Sequence, residues 1–326
     1  MDMRQLRYFV QIVESGSLAK ASRQLYIAQP ALSQHIARLE EEVGKSLLVR
    51  SSRGVAPTDN GMALYHHAKF MLRQLDQAVS VARQDTAALS GRVTLGLAPT
   101  TNGQLGLPLL RHLRDRLPGV KVNVVEGLSG HLEHMTRVGQ LDLAILFAPR
   151  AAAELTVEPL LEEELFVILP RTSALVAADR QSLTLAEAAA LPLVLPSPGH
   201  GLRRRIALEF DRVNLVIDAV AEIDSLPLLM RCLADGMGAT IKPMAAIHAF
   251  DNPQDWRALP IADVPITRAN YLYALPPEKL SPCAAAVRLE LRSVVREMVE
   301  AGRWAGVRLM AEMLHHPVEE EAVALA

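Results

Sequence analysis

Residues 17–39, SLAKASRQLYIAQPALSQHIARL, hold two short helical patterns separated by a tight break. Ser17 is placed to cap the first, on which Leu18, Ala21 and Leu25 recur at helical spacing along one face. Tyr26 to Ala28 interrupts it, and a second helix is predicted from about Gln29, with Pro30 in the first turn, where a missing N–H costs nothing. Leu32, Ile36, Leu39 and Val43 form its expected buried stripe. That stripe leaves Gln29, Ser33 and Gln34 outward, amides and a hydroxyl that suit base edges and phosphates in a major groove. A bare pair of short helices is more often an ordinary hairpin with a polar exterior, so the flanks decide. Met3 to Glu14 reads as a third helix with Leu6, Phe9, Val10 and Val13 on one face. Leu47 to Val49 reads as a strand, Arg50 to Gly54 as a basic turn, and Val55 and Ala56 as the return strand, stopped by Pro57. This is the order of a winged helix-turn-helix.

Three segments, LRYFVQIVESGSLAKAS (Leu6 to Ser22), AQPALSQHIARLEEEVG (Ala28 to Gly44) and LLVRSSRGVAPTDNG (Leu47 to Gly61), resemble the N-terminal domain of LysR-type transcriptional regulators. The chain departs from that pattern at Ala28, where serine is frequent, at His35, where glutamine is usual, and at Leu48, where phenylalanine usually fills the core. Of these, His35 is the one expected to alter DNA contacts. The resemblance implies DNA contacts from Gln29, Pro30, Ser33 and Gln34, with Arg53 reaching phosphates or the minor groove from the wing.

Charge is divided along the chain. Residues 1–92 carry 12 Lys and Arg against 8 Asp and Glu, whereas the remainder carries 22 against 28. The front end suits phosphate and the back end does not, although the bias alone would not establish DNA binding. At 326 residues, 50% of them hydrophobic, the chain is long enough for more than one core. Cys232 and Cys283 fit a reducing compartment rather than a disulfide framework. A peroxide-sensing cysteine pair occurs in the family that the chain resembles, but beyond Arg231 neither residue has an evident activating cluster, and both read as small buried hydrophobes. The first apolar stretch is broken by charges, unlike a signal peptide, and Val93 to Leu110, though uncharged, contains two prolines and three glycines. The expected location is the cytoplasm, with no membrane contact.

Asp59 to Ser90 lacks proline and is predicted to be one helix of about 45 Å at 1.5 Å per residue. Leu64, Ala68, Met71, Leu75, Ala78, Ala82, Asp85 and Leu89 fall at spacings of four and three, a near-heptad seam. Such a helix either packs on its own domain or meets a twin. The resemblance implies a dimerising linker through Leu64, Ala68, Met71 and Leu75, and hence a dyad-symmetric operator on double-stranded DNA.

Beyond Ser90, strands are expected at Val93 to Ala98, Val120 to Glu126 and Leu143 to Phe147, alternating with helices at Gln104 to Arg116 and His131 to Val138. This βαβαβ order implies a largely parallel sheet. Further strands at Leu165 to Leu169, Leu193 to Leu195, Val216 to Ile223 and Ala239 to Lys242 fit a second α/β lobe. The strand Ala269 to Leu275 and the helix Cys283 to Glu300 are then expected to return to the first. The expected architecture is multidomain. A winged helix-turn-helix unit (1–58, its helix-turn-helix about 18–37) and a linker helix (59–90) precede an α/β, bilobed, periplasmic-binding-protein-like (type 2) effector domain (91–301). Its lobe I comprises 91–162 and 266–301, its lobe II 163–265, and residues 302–326 form a C-terminal extension. In the extension Trp304, Val307, Leu309 and Met310 are candidates to pack on the first lobe, and VEEEAVALA after Pro317 reads as a frayed tail.

Ligands in such sheets collect beyond strand carboxyl ends, where helix N-termini offer unpaired N–H groups. The candidate effector residues are therefore Pro99, Thr100, Thr101, Ser129, Phe147, Ser197 and His200, favouring a small anion or polar ring. His200 lies between glycines and before three arginines, which suits either a carboxylate contact or a solvated loop. The pairs His66-His67 and His315-His316 lack further ligands at metal spacing, so no metal is expected, and no cofactor. No G-x-S-x-G, P-loop, G-x-G-x-x-G after a strand or H-E-x-x-H is present. An enzyme fused to a DNA reader and an architectural DNA-binding protein without effector are the alternatives to a regulator. The partners implied are operator DNA, a small-molecule effector and a second copy in a homodimer or homotetramer, with RNA polymerase as a further candidate. The combination of YIAQPALSQ, RSSRGVAPTDNG and the Trp-containing tail resembles the branch of nitrogen-assimilation-type regulators.

Overall fold

A computed structural model of the chain describes residues 1–51, 54–83, 89–147, 155–250 and 252–310, which fall into two compact units, the first up to residue 88 together with Arg137–Gln140 and the second the remainder from Leu89. The first unit runs α1 (Met3–Ser15), α2 (Leu18–Leu25), α3 (Gln29–Val43), β1 (Leu48–Ser51), β2 (Gly54–Pro57) and α4 (Asp59–Arg83). Asp2 and Gln5 close a capping box at the start of α1, and Ser17 accepts from the Lys20 amide at the start of α2. Phe9, Ile12, Leu18, Ala21, Leu32, Ile36 and Leu39 share one core. Val43 does not join them: at 40% exposure it lies on the last turn of α3, beyond the core cluster.

The hairpin β1–β2 is held to α3 by one carboxylate. Glu40 Oε1 accepts from the amides of Leu47 at 2.7 Å and Leu48 at 3.1 Å, satisfying two donors that the ladder itself leaves over. Thr58 then starts α4, its hydroxyl accepting from the Gly61 amide at 3.0 Å and donating to the Ser46 carbonyl at 2.8 Å.

Helix α4 has 25 residues, about 38 Å. It is shorter than the expected 59–90: Leu89 and Ser90 are not helical, because Leu89 is drawn onto the apolar cluster of the second unit and Gly91 already opens a strand. Positions 84–88, including Asp85 of the seam, lie outside the described residues, as do the side chains of positions 80–83, Ala82 of the seam among them.

The second unit contains β3 (Gly91–Leu97), α5 (Pro99–Arg116), β4 (Val120–Glu126), α6 (Ser129–Arg137), β5 (Leu143–Leu146), β6 (Thr156–Pro170), α7 (Leu185–Ala189), β7 (Leu193–Leu195), α8 (Gly201–Arg212), β8 (Ala219–Glu222), α9 (Leu226–Ala234), β9 (Thr240–Pro243), α10 (Ala245–His248), β10 (Trp256–Pro260), β11 (Thr267–Ala274), α11 (Pro282–Glu300) and β12 (Val307–Leu309). Strands β4, β3 and β5 are parallel, and β11 closes them against β6 in antiparallel pairing. Leu95, Leu97, Leu105, Leu143, Leu272, Val287 and Leu291 fill this lobe. The second lobe is built on the far half of β6, flanked by β9 and β10, with β7 and β8 joined on through Leu193 and Ala239.

The expected strand at Leu165 to Leu169 is thus only the end of a 15-residue strand that crosses between lobes without a break. Its first half, TVEPLLEEE, reads poorly as strand because of Pro159 and its carboxylates. Both conflicts are resolved by tertiary partners. Pro159 sits where the register with β11 shifts, and Glu158, Glu162 and Glu163 meet Arg288, Arg308 and Arg268. The C-terminal segment packs as anticipated for Trp304, which is 3% exposed in the first-lobe core. Strand β12 adds to β6 at Leu161 to Glu163, covering an otherwise open edge. The tail from 311 to 326 lies outside the described residues.

Gly61 lies inside the first turn of α4, where alanine ordinarily stabilises by up to about 1 kcal/mol. Here a Cβ would overlap the carbonyl oxygen of Leu47. Gly61→Ala is therefore expected to lower stability by about 1 kcal/mol or more, reversing the usual sign, as read by chemical denaturation of the chain; a stabilised variant would refute the close approach.

Candidate functional site

In the first unit, the short α2 ends at Tyr26, in the left-handed region at φ 55°, and α3 starts without a side-chain cap because Ala28 has none to offer. The first-turn amides of α3 are left for an external acceptor. Gln29, Pro30 and Gln34 are exposed. Ser33 is half-buried and accepts a 3.1 Å hydrogen bond from Arg50 Nη1 on β1, so the wing and the outward face of α3 share one polar contact. Arg53 lies outside the described residues. His35, the departure that could alter DNA contacts, packs edge-on against Tyr8 of α1 at 5.1 Å between ring centres. The ring is half-buried beside this aromatic partner. Arg50 and Glu40 were not singled out from the sequence; a basic residue opening the wing was the available signal for the first.

Of the seam residues, Ala68 is fully buried against Leu6 and Val10 of α1, with Leu64 and Met71 partly buried on the same cluster. The expectation that Ala68 lies on a pairing surface is therefore corrected: the absent bulk of alanine is what lets α1 approach α4. Leu75 is half-buried and Val79 is 41% exposed, further along the helix.

In the second unit, four helix starts meet in one cleft lined by Pro99 and Thr100 of α5, Leu128 and Ser129 at α6, His200 and Leu202 at α8, and Asp224 and Leu226 at α9, together with Phe147, Lys242 and Arg268. Helix α5 begins at Pro99 rather than Gln104, so Thr100 and Thr101 belong to its first turn and not to a loop. Thr100 stays in the cleft. Thr101 does not line it: only 1% exposed, its hydroxyl is buried without a partner. Ser197 also does not line the cleft, because its amide and hydroxyl both go to Asp224 at 3.0 Å. That amide hydrogen bond is the main cause holding the Asp224 carboxyl below its usual range.

The cations Lys242 and Arg268 were missed. Arg268, 5% exposed, donates through Nε (2.8 Å) and Nη2 (2.5 Å) to Glu163 Oε1, reaches the Thr100 hydroxyl at 3.4 Å, and lies 3.5 Å over the Phe147 ring. Asn270 Nδ2 donates to the same Glu163 oxygen at 3.1 Å. Lys242 is also 5% exposed, and its ammonium has no hydrogen bond or ion pair among the described residues. Burial, and secondarily Arg268, push its pKa down to about 7, against the pull of Asp224. His200 is pushed down to about 4 by burial and then by Lys242 and Arg268. Its Nδ1 accepts from the Leu202 amide at 3.1 Å, so the neutral ring carries its proton on Nε2 as a donor. A lysine inside the otherwise apolar strand ATIKP was the signal for Lys242; nothing local marked Arg268.

Two cations, a neutral imidazole donor and four helix starts give the cleft a positive field with one exposed carboxylate, Asp224. The free space is about 20 Å³, room for the centre of roughly one water molecule. In this arrangement the Phe147 ring and Arg268 fill the cleft.

Residues 3–62 match the family model described as bacterial regulatory helix-turn-helix protein, lysR family, and residues 86–296 match the LysR substrate binding domain. The nitrogen assimilation regulatory protein nac of Klebsiella aerogenes is 36% identical over 90% of this chain and 95% of that protein. Its namesake in Escherichia coli K12 is 34% identical over 93% and 99%. Among solved structures, a full-length OxyR variant from Pseudomonas aeruginosa superposes with TM-score 0.70 at 22% identity, covering 91% of this chain and 95% of that one. Full-length CbnR in complex with its target DNA gives TM-score 0.69 at 19% identity, covering 90% and 100%.

The depressed Lys242 fixes a sign for pH dependence. Below pH 7 its ammonium is charged in both folded and unfolded chains and the full desolvation cost applies. Between about 7 and the ordinary lysine value, 10.5, the unfolded chain binds the extra proton and stability rises with pH. Lys242→Met should therefore raise the melting temperature at pH 6, by the equivalent of a few kcal/mol, and by much less at pH 9.5. Calorimetry showing equal gains at both values would mean that the buried amine keeps its proton throughout.

Proposed function

The chain belongs to the LysR family of bacterial transcriptional regulators, and on that premise we propose how it reads its operator and what its cleft holds. Members of this family bind operator DNA, respond to small-molecule effectors through the second domain and act as oligomers. No helix among the described residues is long and apolar enough to cross a membrane, and a cytoplasmic location without catalytic activity is the reading that fits a regulator.

Reading is assigned to α3. Gln29 and Gln34 present exposed amides for base edges, Ser33 and Arg50 together meet the backbone, Pro30 sets the entry of the helix, and Arg53 approaches phosphates or the minor groove. Two copies pair through the distal part of α4, where Leu75 and Val79 keep apolar surface after α1 has taken up Ala68; Leu64 and Met71 contribute only the portions that α1 leaves open. Domain limits of 1–58 for the reading unit, 59–90 for the linker, 91–301 for the effector domain and 302–326 for the extension follow this division of labour.

The cleft is assigned a small anion, held by Lys242, Arg268, the His200 Nε2 donor, the Thr100 and Ser129 hydroxyls and the first-turn amides of α5 and α6, with Pro99 and Phe147 as apolar walls. The observation that carries this reading is Lys242, a buried ammonium with no acid within ion-pair distance. An anion beside it would restore the proton that burial removes, and the ligand must bind the two arrangements of the oligomer unequally to regulate. Thr101 and Ser197, expected as contacts, act here through α5 and through Asp224.

Two expectations test these roles. Gln29→Ala and Gln34→Ala should each relax operator discrimination by about 1–3 kcal/mol, while Arg53→Ala should weaken all sequences alike and flatten the salt dependence; unaltered discrimination in both glutamine variants removes α3 from base reading. Anion affinity, measured by calorimetric titration of the full chain with candidate carboxylates, should increase as pH falls through about 7 and should lose that dependence in Lys242→Met. A wild-type pH profile in the variant would place the anion elsewhere.

A further inference from the structure

Away from the cleft, the second lobe holds a larger pocket, of about 590 Å³, along the outer edge of β10. Small-molecule sites usually span about 300–1,000 Å³. Its apolar wall follows from strand alternation. Trp256 and Ala258 are half-buried alternate residues of β10, and both pack, with Phe166 of β6, on the cluster that contains Ile168 and Ile247. In register, Ala258 falls between Trp256 and the Pro260–Phe166 pair, so the smallest residue of the row leaves room between two aromatic side chains.

The polar side of the pocket is all donor. Three of its lining residues are arginines, Arg171, Arg180 and Arg257, and none is Asp or Glu. Arg180 is neutralised by Glu187 at 2.7 Å. The other two have carbonyl partners only. Arg257, 8% exposed, donates to the carbonyls of Val176, Ala177 and Arg180 at 2.9–3.0 Å, and Arg171 donates to those of Gln254 and Trp256. Neither has an ion pair among the described residues. Carbonyl dipoles orient a guanidinium without cancelling its charge, which persists at every pH at which a protein folds.

The edge of β10 decides what kind of occupant fits. An open edge takes an added strand only over several residues. Here the Trp256 amide donates to the Pro253 carbonyl and the Trp256 carbonyl accepts from Arg171. Pro260 has no N–H, and its carbonyl accepts from the Leu183 amide at 3.0 Å. By alternation along an antiparallel strand, only the N–H and C=O of Ala258 are left facing outward between them. One free amide is too little for a peptide strand and enough for one carboxylate oxygen.

We propose that this pocket binds an aryl carboxylate, with the Ala258 amide and Arg171 on the carboxylate, Arg257 as a second, fixed positive charge, and Trp256 and Phe166 against the ring. The site shares no lining residue with the effector cleft, and its assignment does not depend on what the cleft holds.

The test uses the full chain carrying Lys242→Met, which removes the cleft cation, with phenylacetate as the probe and phenylacetamide as its neutral counterpart. Calorimetric titration should show saturable binding of phenylacetate at millimolar concentration and binding of the amide weaker by about tenfold or more. Arg171→Gln should weaken phenylacetate by about tenfold, and Arg171→Lys should recover most of that loss, which separates charge from the packing of the segment. Ala258→Leu fills the hollow and should abolish binding; if that variant does not fold, the Arg171 pair carries the test alone. Absence of saturable binding, equal affinity for the amide, or an affinity unaltered by Arg171→Gln or by a folded Ala258→Leu variant overturns the proposal. Binding seen in the wild-type chain and lost with Lys242→Met assigns the probe to the cleft and overturns it as well.

Discussion

Everything in the effector domain is arranged around one buried carboxylate, Glu163. It stands on β6 directly opposite Arg268 on β11, next to the point where β6 passes into the second lobe, and a single oxygen takes two guanidinium donors and the Asn270 amide. Removing one member of such a pair leaves an uncompensated charge, at a cost of about 3–5 kcal/mol, whereas apolar residues of equal volume would hold the strands together as well or better. Strand pairing alone therefore does not explain the pair. What an apolar pair would lack is the remaining edge of the Arg268 guanidinium, aimed at Thr100 and laid over Phe147. Glu163 fixes a cation in the cleft, and that cation helps lower the pKa of Lys242 and of His200.

Lys242 and His200 show this directly. Both are displaced toward their neutral forms chiefly by burial, with Arg268 contributing to each. Asp224 restrains both shifts, and is itself held ionised by Ser197. The cleft is thus a desolvated site of positive potential with little room and one partly opposing carboxylate. An anion entering it gains electrostatically because the donors are already fixed, so little reorganisation remains to be done on binding. Strand β6 alone runs unbroken through both lobes; beside it the Leu165 amide donates to the Ile266 carbonyl just before β11 begins, and β12 pairs with β6 at Leu161 to Glu163.

The reading head relies on a smaller version of the same device. Glu40 ties the wing to α3 through two backbone amides, and Gly61 lets α4 leave close beneath Leu47. The exposed amides of Gln29 and Gln34 therefore project from a helix whose other face, ends and neighbouring hairpin are all fixed, which is the preorganisation that base reading needs.

The local rules were legible in the chain. Helical spacing, the Ser17 cap and the Pro30 start identified α2 and α3; strand and helix alternation identified the first lobe; and the return of β11 and α11 followed from the absence of room in the second. Boundaries failed where a distant contact overrode local preference. Leu89 left its helix for an apolar cluster, Val43 lay past the end of its core, and Glu158, Glu162 and Glu163 entered a strand that their charges disfavour because arginines far along the chain receive them. The cleft was located from helix starts, yet its chemistry was not. Thr101 and Ser197 were inferred as contacts from their neighbours in sequence, whereas Lys242 and Arg268 enter the cleft only through pairings of β9 and β11 with β6. Periodicity, capping and turn chemistry act over a few residues and can be read in order along a chain. Burial of a charge depends on which remote segments surround it, and for Glu163 and Arg268, 105 residues apart, only the tertiary structure decides that.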